Sequence, residues 1–159
     1  MYIKGIDAAF MNPYNVLQAL PHITYAYDTE NGSFVMLSND LTHEPMLLQK
    51  PSYTPEMVVD NSMYDINNEE YYVLNGVTLK METEFQNIHY QTNMAAMILL
   101  GQWFEYLKGN DVYDNTRIIL VSDHGQTVAQ IEELYDVEGL LDYEVYMPLL
   151  MVKDFDAKE

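Results

Sequence analysis

Three observations predict an α/β fold with a mainly parallel sheet flanked by helices. Arg117-Ile118-Ile119-Leu120-Val121-Ser122 is an aliphatic run closing on a polar residue, the pattern of a strand buried on both faces. Gln91 to Lys108 carries a broad apolar stripe at helical spacing. Strand, irregular segment, helix, strand, loop and strand follow one another along the chain, the alternation expected of a parallel sheet.

Ala8 to Leu20 mixes apolar and polar residues at helical spacing, with Pro21 as its expected stop. Asn31-Gly32 marks a turn, and with Ser33 it also fits a glycosylation acceptor pattern that the turn already explains. The apolar run after it predicts a strand over Phe34 to Ser38. Asn39 to Asp60 holds Pro45, Pro51 and Pro55 and little periodicity, so it reads as a long irregular stretch leaving a strand end, where α/β proteins place their sites. Glu69 to Leu79 is ambiguous. In the long helix, Met94, Met97, Ile98, Gly101, Phe104 and Leu107 form one stripe that Ala95, Leu99, Leu100 and Trp103 widen, and Gly109-Asn110 ends it. Ile118 to Ser122 is read as a central parallel strand and Gln126 to Leu134 as a short helix. Val145 to Val152 is read as a further strand that Pro148 places near an edge. The three strands are expected in one sheet, with the helix packed on it.

A chain of 159 residues suits one domain, and 48% hydrophobic residues is a folding composition. Acidic residues outnumber basic ones 25 to 7, a formal charge of −18. Such a surface repels nucleic-acid phosphates and anionic lipid, so no nucleic-acid partner is expected. The same charge demands a bound cation if the substrate is an anionic ester. The sequence has no cysteine, which excludes disulfides, thiolate metal sites and cysteine nucleophiles within these residues. No apolar run approaches the roughly 18 residues of a spanning helix, so the segment reads as soluble.

Asp123-His124-Gly125 sits directly after the best-defined strand. A carboxylate and a neutral imidazole suit Zn²⁺, Mn²⁺ or Mg²⁺. Neighbouring strand residues point to opposite faces, so both reach one ion only if the backbone turns, and Gly125 allows that. On the tripeptide alone the bland reading, in which Asp123 caps the following helix and His124 faces solvent, is favoured, and its place after a buried strand brings the two level. Thr42-His43-Glu44-Pro45 also follows a strand end, and His43 is of the right type to bond a phosphate or sulfate oxygen or protonate a leaving group, but on these residues alone a surface histidine in a turn fixed by Pro45 is the better reading. His89, just before the long helix, reads as a satisfied structural histidine, and His22 receives no role. Tyr53, Tyr64, Tyr71 and Tyr72 read as half-buried packing more readily than as a glycan or headgroup cleft. Asp65 to Glu70 reads as a solvated loop.

The stretch from Asn115-Thr116 through the aliphatic strand to Asp123-His124-Gly125, with the lead-in helix Gly101 to Lys108, resembles the signature of the sulfatase and alkaline phosphatase superfamily. Within it the chain is most similar to sulfatase-like membrane proteins related to lipoteichoic acid synthase and phosphoethanolamine transferases. The resemblance implies an alkaline-phosphatase-like but incomplete fold, residues 1–159 forming the C-terminal portion of a catalytic domain. It implies Asp123 and His124 as ligands of a divalent metal ion (Mn, Zn, Mg or Ca), and His43 as a substrate-binding residue through the family's Thr-His-x-Pro stretch. The implied parent is an extracytoplasmic domain of a membrane-anchored enzyme acting on phosphate or sulfate esters, with lipid headgroups or envelope glycans as substrate sources. Phosphodiester headgroup transfer is the preferred subtype; sulfate-ester hydrolysis and a non-catalytic cation- or glycan-binding module are the alternatives. The family's catalytic nucleophile and further carboxylate ligands lie upstream of the Thr-His-x-Pro stretch and are not found here. The remainder of the domain is therefore an expected partner, and the segment alone is expected to be inactive.

Overall fold

The computed structural model describes residues 6–28, 30–68, 72–74, 76–134 and 141–157. The first helix, α1 (Ala8–Ile23), begins where the Asp7 carboxylate accepts the Ala9 N–H at 2.8 Å. It turns Phe10, Tyr14, Leu17 and Leu20 inward as one stripe. Pro21 does not stop it. A proline in the last turn deprives only one carbonyl of its donor, and Thr24 N–H still closes on Leu20 O at 3.0 Å.

A short helix α2 (Ser62–Asn67) and a hairpin of β1 (Val73–Leu74) with β2 (Val77–Thr78) precede the long helix. The hairpin resolves the ambiguity of Glu69 to Leu79 in favour of strand for its described part; Gly76, at φ 82°, takes the left-handed conformation its turn requires. The helix α3 (Glu84–Gly109) starts well before Gln91. Thr83 accepts the Gln86 N–H at 3.1 Å while Gln86 accepts the Thr83 N–H at 3.1 Å, a reciprocal cap.

The core lies between the helices. Phe10, Tyr14, Leu17 and Leu20 of α1 meet Ala95, Ala96 and Leu99 of α3, and Leu41, Met46, Leu48 and Tyr53 close the cluster from the irregular stretch. That stretch is held by buried polar side chains of α3: Thr92 Oγ1 accepts the Met46 N–H at 3.2 Å and Gln91 Oε1 accepts the Leu48 N–H at 2.7 Å. Trp103 Nε1 and the Tyr106 hydroxyl bond Thr24, fastening the end of α1 to α3.

The expected parallel sheet is overturned. The strand β3 (Ile118–Val121) pairs antiparallel with β4 (Leu150–Lys153), Ile118 opposite Lys153 and Val121 opposite Leu150, and no parallel pairing occurs among the described residues. Only the end of the run Val145 to Val152 is strand, because Tyr143–Tyr146 forms a 3-10 turn and Pro148 follows it. Phe34 to Ser38 joins no ladder; Phe34, Val35 and Met36 lie in the open at 91%, 83% and 83% exposure. The helix α3 packs chiefly on α1 and on the Leu41–His43 turn instead of on a sheet. Gln126 to Leu134 contains one 3-10 turn, Glu132–Leu134, and no α-helix. Asp65 belongs to α2 instead of a solvated loop, while Glu69 and Glu70 lie outside the described residues. No helix among the described residues is long and apolar enough to cross a membrane.

Candidate functional site

The candidate residues Asp123 and His124 follow the carboxyl end of β3. Ser122 secures that end: its N–H donates to Leu149 O at 3.1 Å and its hydroxyl oxygen accepts the Leu149 N–H at 2.8 Å. The backbone then leaves the ladder. Asp123 Oδ1 accepts the His124 N–H at 3.0 Å, and His124 Nδ1 lies 2.5 Å from Gly125 O. A carbonyl only accepts, so this contact puts the imidazole proton on Nδ1. The lone pair is left on Nε2, which stands 3.8 Å from Asp123 Oδ2. The two side chains that point to opposite faces in a strand are thus brought side by side, and both are open to solvent.

Gly125 makes the turn. Its N–H donates to Val145 O at 2.8 Å, and a Cβ built on it would stand 2.0 Å from the Glu144 carbonyl oxygen and 2.8 Å from that of Met147. No side chain fits there. The 3-10 turn Tyr143–Tyr146 therefore buttresses the Asp123–His124 pair from behind. Its buried Glu144 and its cap Asp142 were not singled out from the sequence; the one local signal is the Asp142-x-Glu144 spacing, in which Asp142 Oδ1 accepts the Glu144 N–H at 2.9 Å.

A carboxylate beside an imidazole suits Zn²⁺ or another transition metal better than Ca²⁺ or Mg²⁺, which take oxygen. A metal-bound histidine gives its other ring N–H to a carbonyl or carboxylate, the arrangement His124 has with Gly125 O. A catalytic zinc uses three protein ligands. Among the described residues no group of three His, Cys, Asp or Glu is placed to hold an ion, so the pair fits as half a site.

His43 makes no contact with this pair among the described residues; it is exposed at the end of the Leu41–His43 turn, with Nδ1 3.2 Å from Glu44 Oε1. Behind it His89 is buried against the edge of Phe85, ring centroids 4.3 Å apart. Its Nε2 has no hydrogen-bond partner among the described residues, so it is structural but not satisfied. Burial holds its pKa below the ordinary histidine value, and the nearby His43 charge adds to this. His22 is exposed in the last turn of α1.

The tyrosines are packing. Tyr53 and Tyr72 meet Tyr90 edge-on at 6.2 and 5.5 Å, and desolvation pushes both phenols up. Tyr64 is half-buried, and Tyr71 lies outside the described residues. The Tyr72 hydroxyl and Asp65 enclose the buried Lys50 ammonium, Asp65 at 2.6 Å. An open cleft of about 320 Å³ adjoins this pair, lined by Asp60, Asp65, Glu84, Asn87 and Gln91. Asp65 is engaged by Lys50 and Asp60 by Ser62, so its acidic wall is already in use.

The chain matches no protein-family model, no curated protein and no solved structure.

Proposed function

We propose that this chain is part of a metal-dependent enzyme of the sulfatase and alkaline phosphatase kind, supplying Asp123 and His124 as two ligands of its divalent metal ion. The observation that carries the reading is the Asp123–His124 pair at the carboxyl end of β3, with Nε2 freed toward the carboxylate by the Nδ1 bond to Gly125 O. The resemblance of Asn115 to Gly125 to the superfamily signature supplies the reaction class: transfer or hydrolysis of a phosphate or sulfate ester, with phosphodiester headgroup transfer preferred.

The roles follow from the residues. Asp123 offers a carboxylate, and His124 offers an imidazole whose Nδ1 proton is given to Gly125 O, which leaves the Nε2 lone pair for an ion. A bound cation supplies positive charge where an ester oxyanion must sit on a chain of net charge −18. His43, exposed and unburdened by packing, is the group assigned to bond the anion or its leaving group. The nucleophile and the remaining ligands are assigned to the rest of the same domain. The apolar surface of Phe34 to Leu37 and of β3 and β4 supports this, because apolar residues of this density are ordinarily covered.

Thermal shift with Mn²⁺, Zn²⁺, Mg²⁺ and Ca²⁺, at moderate salt, tests the reading on the chain and on an Asp123→Asn/His124→Ala double variant. Stabilisation by Mn²⁺ or Zn²⁺ that the double variant loses is the expected result. Stabilisation by Ca²⁺ alone, equal in both proteins, would establish a cation-binding module instead.

A further inference from the structure

We propose that Glu144 is a positioning residue for the Asp123–His124 pair, holding the turn that orients the imidazole. The inference rests on the reading of that pair as metal ligands. Glu144 is an acid at 6% exposure, and a carboxylate is kept out of water only where its oxygens are bonded. Among the described residues its oxygens are engaged by backbone amides: Oε1 accepts the Ile131 N–H at 2.5 Å and Oε2 the Val128 N–H at 3.2 Å. Between those residues Ala129 takes the left-handed φ of 57°, with its N–H given to Asp142 Oδ2 at 3.2 Å. The side chain of Glu144 therefore fixes the far end of the loop that follows Gly125.

The main chain of the same residue fixes the near end. The Glu144 carbonyl oxygen occupies the space a Cβ of Gly125 would need, and Val145 O takes the Gly125 N–H. Gly125 O in turn receives the His124 Nδ1 proton. The Glu144 side chain at one end and the Glu144–Val145 main chain at the other thus bracket the turn, and the direction of His124 Nε2 is inherited from it. Only an ionised or two-acceptor group suits this place. Glutamine would keep one oxygen and turn an NH₂ toward an N–H, a pairing of two donors.

The test follows Mn²⁺-induced broadening of the histidine ring signals in the full chain at moderate salt, well below the melting temperature. In the wild type, His124 is expected to broaden before His22 and His43. In Glu144→Gln the same broadening should need roughly tenfold more Mn²⁺, the low end of the range for groups that orient ligands without touching the ion. Glu133→Gln, which removes an equal charge from an exposed site, should behave as wild type. If Glu144→Gln loses dispersed signals, Asp142→Ala takes its place, since it frees the Glu144 and Ala129 N–H groups, and the same weakening is expected. Wild-type-like broadening in Glu144→Gln, or in Asp142→Ala where that is used, overturns the positioning role, as does an equal weakening in Glu133→Gln. No selective broadening of His124 in the wild type itself would instead refute the ligand pair, and with it the premise.

Discussion

Gly125 approaches the main chain of Glu144 so closely that a Cβ at position 125 would stand only 2.0 Å from the Glu144 carbonyl oxygen. The neighbour is backbone, which cannot rotate away as a side chain would. Gly125→Ala must therefore push the Tyr143–Tyr146 turn off the Asp123–His124 turn. Overpacking of this kind destabilises by about 1–3 kcal/mol. A lower urea midpoint and displaced amide signals over residues 143–147 are expected; an unchanged midpoint would show that the two turns are not held together.

The pair Lys50–Asp65 is asymmetric, and its variants should be too. The Lys50 side chain is fully buried, while Asp65 is 41% exposed at 2.6 Å. Removing the carboxylate strands an ammonium out of water; removing the ammonium leaves a carboxylate that water reaches. Asp65→Ala should lower stability by about 2–3 kcal/mol, less than for a fully stranded ion because the Tyr72 hydroxyl and ring remain on Lys50. Lys50→Met should be the milder change. Urea denaturation of both decides it, and equal losses would contradict the burial argument.

These particulars show what the sequence reveals and where it stops. The helix over Gln91 to Lys108 was legible because its stripe is long, but its start was missed although Thr83-x-x-Gln86 marks it. The strand Ile118–Val121 was legible from its aliphatic run, whereas its pairing was not. Continuous apolar runs imply burial on both faces, yet Ile119 and Val121 are exposed among the described residues, and β4 pairs antiparallel. Phe34 to Ser38 has strand composition without a ladder, since composition cannot supply a partner. The backbone turn at Gly125 was readable in place. Glu144 was not, because what makes it matter is a contact across the loop between positions 125 and 144.

His89 should make the fold acid-sensitive. Its pKa in the folded chain is held below the unfolded value of 6.5 by desolvation and then by His43. The unfolded chain then binds a proton more readily than the folded one in the window below 6.5. Its contribution is complete above that pH and is lost as pH falls toward the folded pKa. His89→Phe keeps the ring contact with Phe85, removes the unpartnered Nε2 and cannot titrate. Melting temperatures at mildly alkaline and mildly acidic pH should diverge less in this variant than in the wild type. The same divergence in both would place the acid sensitivity elsewhere.

Salt should drive this chain to associate, through a balance of two surface properties. Phe34, Val35 and Met36 present an extended apolar run at 91%, 83% and 83% exposure, and Leu150, Met151 and Val152 on β4 are also exposed. Unpaired extended segments of this kind template further pairing. Opposing that, copies carrying a formal charge of −18 repel one another, an effect that acts at long range only in dilute salt. The Debye length falls from about 30 Å at 0.01 M to about 3 Å at 1 M, while apolar attraction is not screened. Sedimentation should therefore show a monomer in dilute salt and larger species as salt is added. Phe34→Ser/Met36→Ser removes apolar surface without altering the charge, and it should suppress the salt-driven species. If that double variant associates as readily as the wild type, the run from Phe34 to Leu37 is not the contact surface. The ribbon of β3 and β4 then becomes the face to substitute next, with Ile119→Ser and Met151→Ser read by the same measurement.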